Sequence, residues 1–401
     1  MSRHLKKVLP LAMVFGFAAL PALANEQTAW RVFVSDHAEP TIRVLDPRTG
    51  GIIDTFKVKA PVGLSLSDSG KTIFAVQRDG GEVAVLSTGI AVEDHGAHGD
   101  LKVEAPKLLD LKLEGQRPSH FVDHNGNIAQ FFDGDGVVKV VRERDVLAGK
   151  ADVRSIKLAS PHHGVAVSYG GTVLVTEPHP EKPVDELPIG IKVLGSDGYP
   201  VGALHACPDL HGEASSGNIL AIACKTGLLL VKSGADTPEI NHLAYATSLP
   251  DAKITTLLGG KGLQYFLGNY GPQAVVLVEP GNAEPFRRIE LPARRVHFAV
   301  DSARPRFAYI FTEDGQLHQL NVITAKIEKS IKLTEPYSMD GHWSLPRPRI
   351  AVAGDEIIVS DPLKSRLHVI KAAAFAKDRE IALEGKPFNV VAVGGSGEVH
   401  D

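Results

Sequence analysis

Four histidines recur at one phase of a repeated sequence unit: Arg117-Pro-Ser-His120-Phe-Val-Asp, Ser160-Pro-His-His163-Gly-Val-Ala, Pro208-Asp-Leu-His211-Gly-Glu-Ala and Arg295-Val-His297-Phe-Ala-Val-Asp. After each of the first three, a strand pattern restarts beyond a polar turn, at Ile128, Val173 and Ile219. Equivalent positions of stacked repeats converge in space, so imidazoles at one phase could share one cation. Three imidazoles and a fourth ligand make a tetrahedral zinc site. His297, Asp123, Asp301 and Glu213 are the candidates for the fourth place. One histidine at a blade edge would be read as a backbone hydrogen-bonding group; four at the same phase favour metal. Imidazole sites also accept copper, nickel and cobalt, so the residue types alone do not select zinc.

A second cluster, Glu93-Asp-His95-Gly-Ala-His98-Gly-Asp100, sets His95, His98 and Asp100 between glycines. Such an arm could grip and release a cation, act as a lid, or be a solvated acidic loop. His37 and His179 stand in further turns as outer or relay candidates.

The elements that must position these residues are short strands. Runs such as Thr72-Ile-Phe-Ala-Val, Ile128-Ala-Gln-Phe-Phe, Phe307-Ala-Tyr-Ile-Phe and Glu356-Ile-Ile-Val-Ser lie between Gly, Asp, Asn and Pro punctuation, the pattern of antiparallel strands. Helical periodicity is nearly absent, with only 363–377 left open. A period of about 40–50 residues with several strands each predicts an all-β fold, a β-propeller of four-stranded blades. Units starting near Val62, His120, His163, His211, Lys261, His297 and Pro348, plus a closing blade, give eight. The weak pattern of 253–280 leaves seven open. Lys386 to Val393 reads as a lone inner strand, and the start of the mature chain as a second strand. Pairing them would close the ring and remove the open sheet edges. In a propeller the inner-strand starts share one mouth of the axial channel, where His120, His163, His211 and His297 would meet. The 93–100 insertion follows a third strand, which places it on the opposite face.

Residues 1–24 read as a cleaved export signal: a basic start, an apolar run from Val8 to Leu20, and Ala22-Leu-Ala24 before Asn25. Residues 25–401 then form one propeller domain, exported and most simply periplasmic. No later stretch is apolar for long enough to span a bilayer. The net charge of −4 is evenly mixed, with no basic patch, which argues against nucleic acid and anionic membrane. Cys207 and Cys224 flank the turn of a predicted hairpin, where a disulfide could join its strands in an oxidising compartment; thiolate ligation is the alternative. Seventeen histidines stand against three methionines and no Cys-x-x-Cys-His, so haem and copper–thioether chemistry are less favoured.

The leader, the Glu-Asp-His-Gly-x-His loop at 93–98, and Cys207-Pro-Asp-Leu-His-Gly-Glu-Ala214 closed by Cys224 resemble the AztD family of periplasmic zinc metallochaperones over the whole mature chain. The resemblance implies a non-catalytic propeller that binds zinc and passes it directly to the periplasmic solute-binding receptor of a zinc ABC importer. It also implies His120, His163 and His211 as central ligands, with His95 and His98 in a zinc-handling loop. A metal-dependent propeller hydrolase of the lactonase kind and a metal-free interaction scaffold are the competing functions. A calcium lactonase site would want carboxylates and amides rather than imidazoles, and no Gly-x-Ser-x-Gly elbow is present. The protein is expected to be a monomer.

Overall fold

The computed structural model describes residues 26–94, 99–235 and 237–398. The leader, His95, His98 and His400 lie outside the described residues. Eight antiparallel sheets follow one another around a ring. Seven of them are four-stranded and step outward from the axis in chain order, six from consecutive strands and one with an inserted hairpin before its outer strand. The inner strands of these seven are Gly63–Leu66, Pro118–His124, Ala166–Tyr169, Glu213–Ser216, Leu257–Leu258, Arg295–Val300 and Ile350–Ala353. We number these blades 1 to 7 in that order.

The eighth sheet closes the ring. Its inner strand is Pro387–Glu398, which pairs antiparallel with Glu26–Asp36; Thr41–Leu45 and Ile52–Lys57 complete the blade. The register runs from Glu26 opposite Glu398 to Asp36 opposite Pro387. The expected closure is therefore present, and the blade number is eight. The weakly patterned blade is real but reduced: its inner strand is the two residues Leu257–Leu258, and Lys261 sits in the following turn.

The apolar alternation builds this ring because each blade offers two faces, each to a neighbour. One buried apolar cluster lies between every adjacent pair of blades. Between blades 1 and 2, for instance, Phe74, Val83 and Val85 pack on Ile128, Phe132 and Val141. Each such side chain contributes about 1.5–3 kcal/mol on burial, so the core is distributed around the ring rather than gathered at its centre. That leaves the axis free to be a channel and the strand ends free for chemistry.

Two sequence expectations change. The stretch 363–377 forms the strand Arg366–Lys371, its flanking turns and the start of the strand Ala376–Ala382, whereas the described α-helix is the short Glu143–Leu147. The outer strand of blade 1 begins at Lys107, after the insertion. The insertion is a hairpin, Ile90–Asp94 with Gly99–Val103, that extends the closing sheet where Asp100 pairs with Glu398. Finally, Cys207 and Cys224 form a disulfide, but not across one hairpin. Cys207 follows the outer strand Pro200–Ala206 of blade 3, and Cys224 ends the second strand of blade 4, so the bridge joins two blades.

Candidate metal centre

His120, His163 and His211 come together where blades 2, 3 and 4 begin. Local backbone features aim each of them. A register shift between Pro118 and Phe121 places a β-bulge at His120, the usual device for redirecting a strand side chain. His163 precedes Gly164, where any Cβ would collide with the Thr176 hydroxyl and the Phe131 ring. His211 precedes Gly212, held at φ +95° with a Cβ site 2.8 Å from the Thr255 carbonyl. A side chain there would push blade 4 away from blade 5.

The Nε2 atoms of His120 and His163 are 3.3 Å apart, and those of His163 and His211 are 3.2 Å apart. A tetrahedral ion with Zn–N bonds of about 2.0–2.1 Å needs ligand separations of about 3.3–3.4 Å. Among the described residues, this is the group of three or more His, Cys, Asp or Glu whose ligand atoms lie within 4.8 Å of one another.

The outer nitrogens fix the tautomers. His163 Nδ1 donates to Asp133 Oδ2 at 2.8 Å, and His211 Nδ1 donates to the Thr255 carbonyl at 2.8 Å. His120 Nδ1 donates to Glu213 Oε1 at 3.1 Å. A carbonyl or ionised carboxylate can only accept, so each neutral ring carries its proton on Nδ1 and turns a bare Nε2 lone pair inward. Lone pairs facing one another at 3.3 Å (His120 and His163) and 3.2 Å (His163 and His211) repel unless a proton or a cation lies between them. Partners of this kind on the far ring nitrogen accompany most metal-bound histidines.

Charge follows the same design. Asp133 also accepts from Arg78 at 3.1 Å and from the Ser119 hydroxyl. Its burial pushes the carboxyl up, but the His163 and Ser119 hydrogen bonds and the His163 and Arg78 charges prevail, so the group is held below the usual carboxylate range. Burial works against a charged His120, yet the Glu213 carboxylate raises its pKa above the ordinary histidine value. Burial, and then the charge of His120, lower that of His211. The two carboxylates of Glu213 and Asp133 would offset the charge of a divalent ion. Glu213 Oε2 is buried without a hydrogen-bond partner. The side chain of His163 is 34% exposed against 19% for His120, so His163 forms the solvent side of the cluster.

The remaining candidates stand elsewhere. His297 occupies the same phase of blade 6 but does not join the three; its Nδ1 accepts the Ile350 N–H at 3.1 Å. Asp123 accepts from the backbone of Gly126 at 2.8 Å and of Asp68 at 2.9 Å, and burial pushes its carboxyl up to about 6. Asp301 is buried against Arg304 and Tyr309, both 2.8 Å away. Glu93 is paired with Lys102 at 2.9 Å and Lys71 at 3.6 Å. Asp100 lies in the hairpin beside the end of the strand Pro387–Glu398, the face opposite the inner-strand starts. His37 contacts the Ser344 carbonyl, and His179 accepts from the backbone of Glu181 and Lys182. His162, adjacent to His163, turns into the core against Thr176.

Asp133 and Thr255 were not singled out in the sequence. Asp133 ends a second strand, and strand parity brings that turn to the inner-strand starts, so topology could have flagged it. Thr255 acts through its carbonyl, which leaves no side-chain signal.

No family model matches the chain. The curated zinc chaperone AztD of Citrobacter koseri is 48% identical over 401 residues, covering all of this chain and 95% of the relative. The crystal structure of Citrobacter koseri AztD matches with a TM-score of 0.91 at 50% identity, covering 93% of this chain and all of that one. The structure of apo AztD from the same organism matches at 0.89 and 47% identity, covering 94% of this chain and all of that one. The dihydro-heme d1 dehydrogenase NirN, at 12% identity and a TM-score of 0.58, shares the fold alone. Identity near one half along the whole chain, on a superposable propeller, makes this chain a member of the AztD zinc chaperone family.

Proposed function

We propose that this protein is a periplasmic zinc metallochaperone which binds zinc through His120, His163 and His211 and hands it directly to the solute-binding receptor of a zinc ABC importer. The observation that carries the zinc reading is the His163 Nε2 atom set 3.3 Å from that of His120 and 3.2 Å from that of His211, each of the three rings oriented by an acceptor on its far side. The name of the curated relative supports the same cargo. Export and cleavage after residue 24 rest on the leader sequence.

A carrier differs from a zinc enzyme in what it does with the fourth coordination position. An enzyme uses that position for water or substrate beside a general base. A carrier needs it for the first ligand of the receptor, so that one bond forms before another breaks. His163, more exposed than His120, would then be the first to leave, while His120 and His211 hold the ion until exchange is complete. His95, His98 and Asp100 are proposed as a second, weaker zinc-handling element.

The test is transfer in the presence of a chelator that scavenges free zinc. Zinc-loaded protein should pass its ion to the metal-free receptor faster than the chelator intercepts it, with a rate that rises with receptor concentration. Capture of all the zinc by the chelator would leave a storage protein rather than a donor.

A further inference from the structure

The axis of the propeller holds a cavity of about 660 Å³ lined by Trp30, Leu66, Phe298, Ile350, Val352 and Val391, with His297 at one end. His297 is placed there by a register shift between Arg295 and His297, a β-bulge like that at His120. Its Nδ1 accepts the Ile350 N–H, so the neutral ring carries its proton on Nε2. That N–H has no hydrogen-bond partner among the described residues. The pKa of His297 lies well below the ordinary value, through burial and then the charges of Arg349 and Arg295, so the ring stays a neutral donor.

The Arg349 guanidinium makes no ion pair or hydrogen bond among the described residues and lies over the Phe388 ring, 4.9 Å from the centroid, while the Arg349 backbone pairs with Ser360. Arg295 donates to the Gly271 and Ala274 carbonyls at 3.0 Å and has no carboxylate partner there either. Burial lowers both guanidinium pKa values to about 10, which leaves them charged. The acidic residue that lines the cavity, Asp68, stands in the turn after an inner strand, at the opposite end. An unused N–H therefore faces the end of an apolar channel, and two guanidinium charges without a carboxylate partner act on the same ring.

We infer that the His297 end of the axial cavity is an anion site which takes a carboxylate whose apolar body lies in the channel. The His297 Nε2–H would hold the carboxylate, and the charges of Arg349 and Arg295, which act on the same ring, would supply the field. A cation is disfavoured there, since no lone pair faces inward and both neighbouring charges are positive.

Calorimetric titration of the full chain with octanoate and with 1-octanol as its uncharged counterpart tests this site. Octanoate should bind at one site per chain, and octanol more weakly by about tenfold or more, the worth of a hydrogen bond to a charged group. Arg349→Gln should weaken octanoate by about tenfold without altering octanol. His297→Phe should act in the same direction, and it serves as the second variant if the first fails to fold. Unchanged zinc affinity in both variants reports an intact ring. Absence of saturable octanoate binding, or equal binding of octanoate by wild type and both variants, overturns the inference.

Discussion

His120, His163 and His211 on one side of the ring and His297 on the other share a residue type and a phase of the repeat, yet their surroundings are opposite. The first three each donate Nδ1–H outward, to Glu213, Asp133 and the Thr255 carbonyl, and present lone pairs inward. His297 accepts a backbone N–H at Nδ1 and presents a proton. Carboxylates stand behind the cluster, whereas guanidinium groups stand beside His297. A histidine at the right place is therefore not yet a metal ligand. The partner of its far nitrogen decides whether it offers electrons or a proton.

The largest expected effect separates these two regions. His163→Ala or His211→Ala should lower zinc affinity by more than about 100-fold, beyond what loss of an outer partner costs, while circular dichroism stays that of the wild type. His297→Ala should leave zinc affinity unchanged in the same competition titration. A loss at His297 comparable to that at His163 would erase the distinction.

Outer partners come next. Glu213→Gln and Asp133→Asn should each weaken zinc by about 10–100-fold, because each replaces a charged acceptor by a neutral amide that accepts more weakly and removes an offsetting charge. If Glu213→Gln matches the loss at His163, Glu213 is itself a ligand through its unpartnered Oε2.

The disulfide between blades 3 and 4 brackets His211. Cys207→Ser with Cys224→Ser should lower unfolding stability by about 3 kcal/mol, the loop-closure value for a segment of this length. Thermal or denaturant unfolding of the zinc-free protein measures it. Because Gly212 and the Thr255 carbonyl also hold the loop, zinc affinity should fall much less than in the histidine variants.

The smallest effect is on pH dependence. The pKa of His120 is raised, burial opposing and Glu213 prevailing, so a proton competes with zinc at this ring before it does at an ordinary histidine. Zinc affinity should be complete above that raised value and decline as pH falls through it, starting above about 6.5. In Glu213→Gln the onset should move to lower pH, because the group that raises the pKa has been neutralised. An onset that stays put would detach Glu213 from the titration of His120.

The sequence by itself determined the repeat, the strand alternation, the closure of the ring by its two ends and the phase shared by four histidines. These properties are local or periodic: alternation of period two specifies a two-faced strand wherever it occurs, and a recurring unit must stack on its neighbours. It also marked Cys207 and Cys224 as a pair, though not that their bond joins two blades. Only the tertiary structure decided which histidines meet and what each presents. Asp133 reaches His163 across 30 residues, Glu213 reaches His120 across 93, and Thr255 contributes a carbonyl that every residue possesses. The Ile350 N–H reverses the role of His297 across 53 positions of chain. Electrostatic and hydrogen-bonding partners act over a few ångströms of space, and in a ring of eight sheets that proximity is set by the packing of blades rather than by distance along the chain.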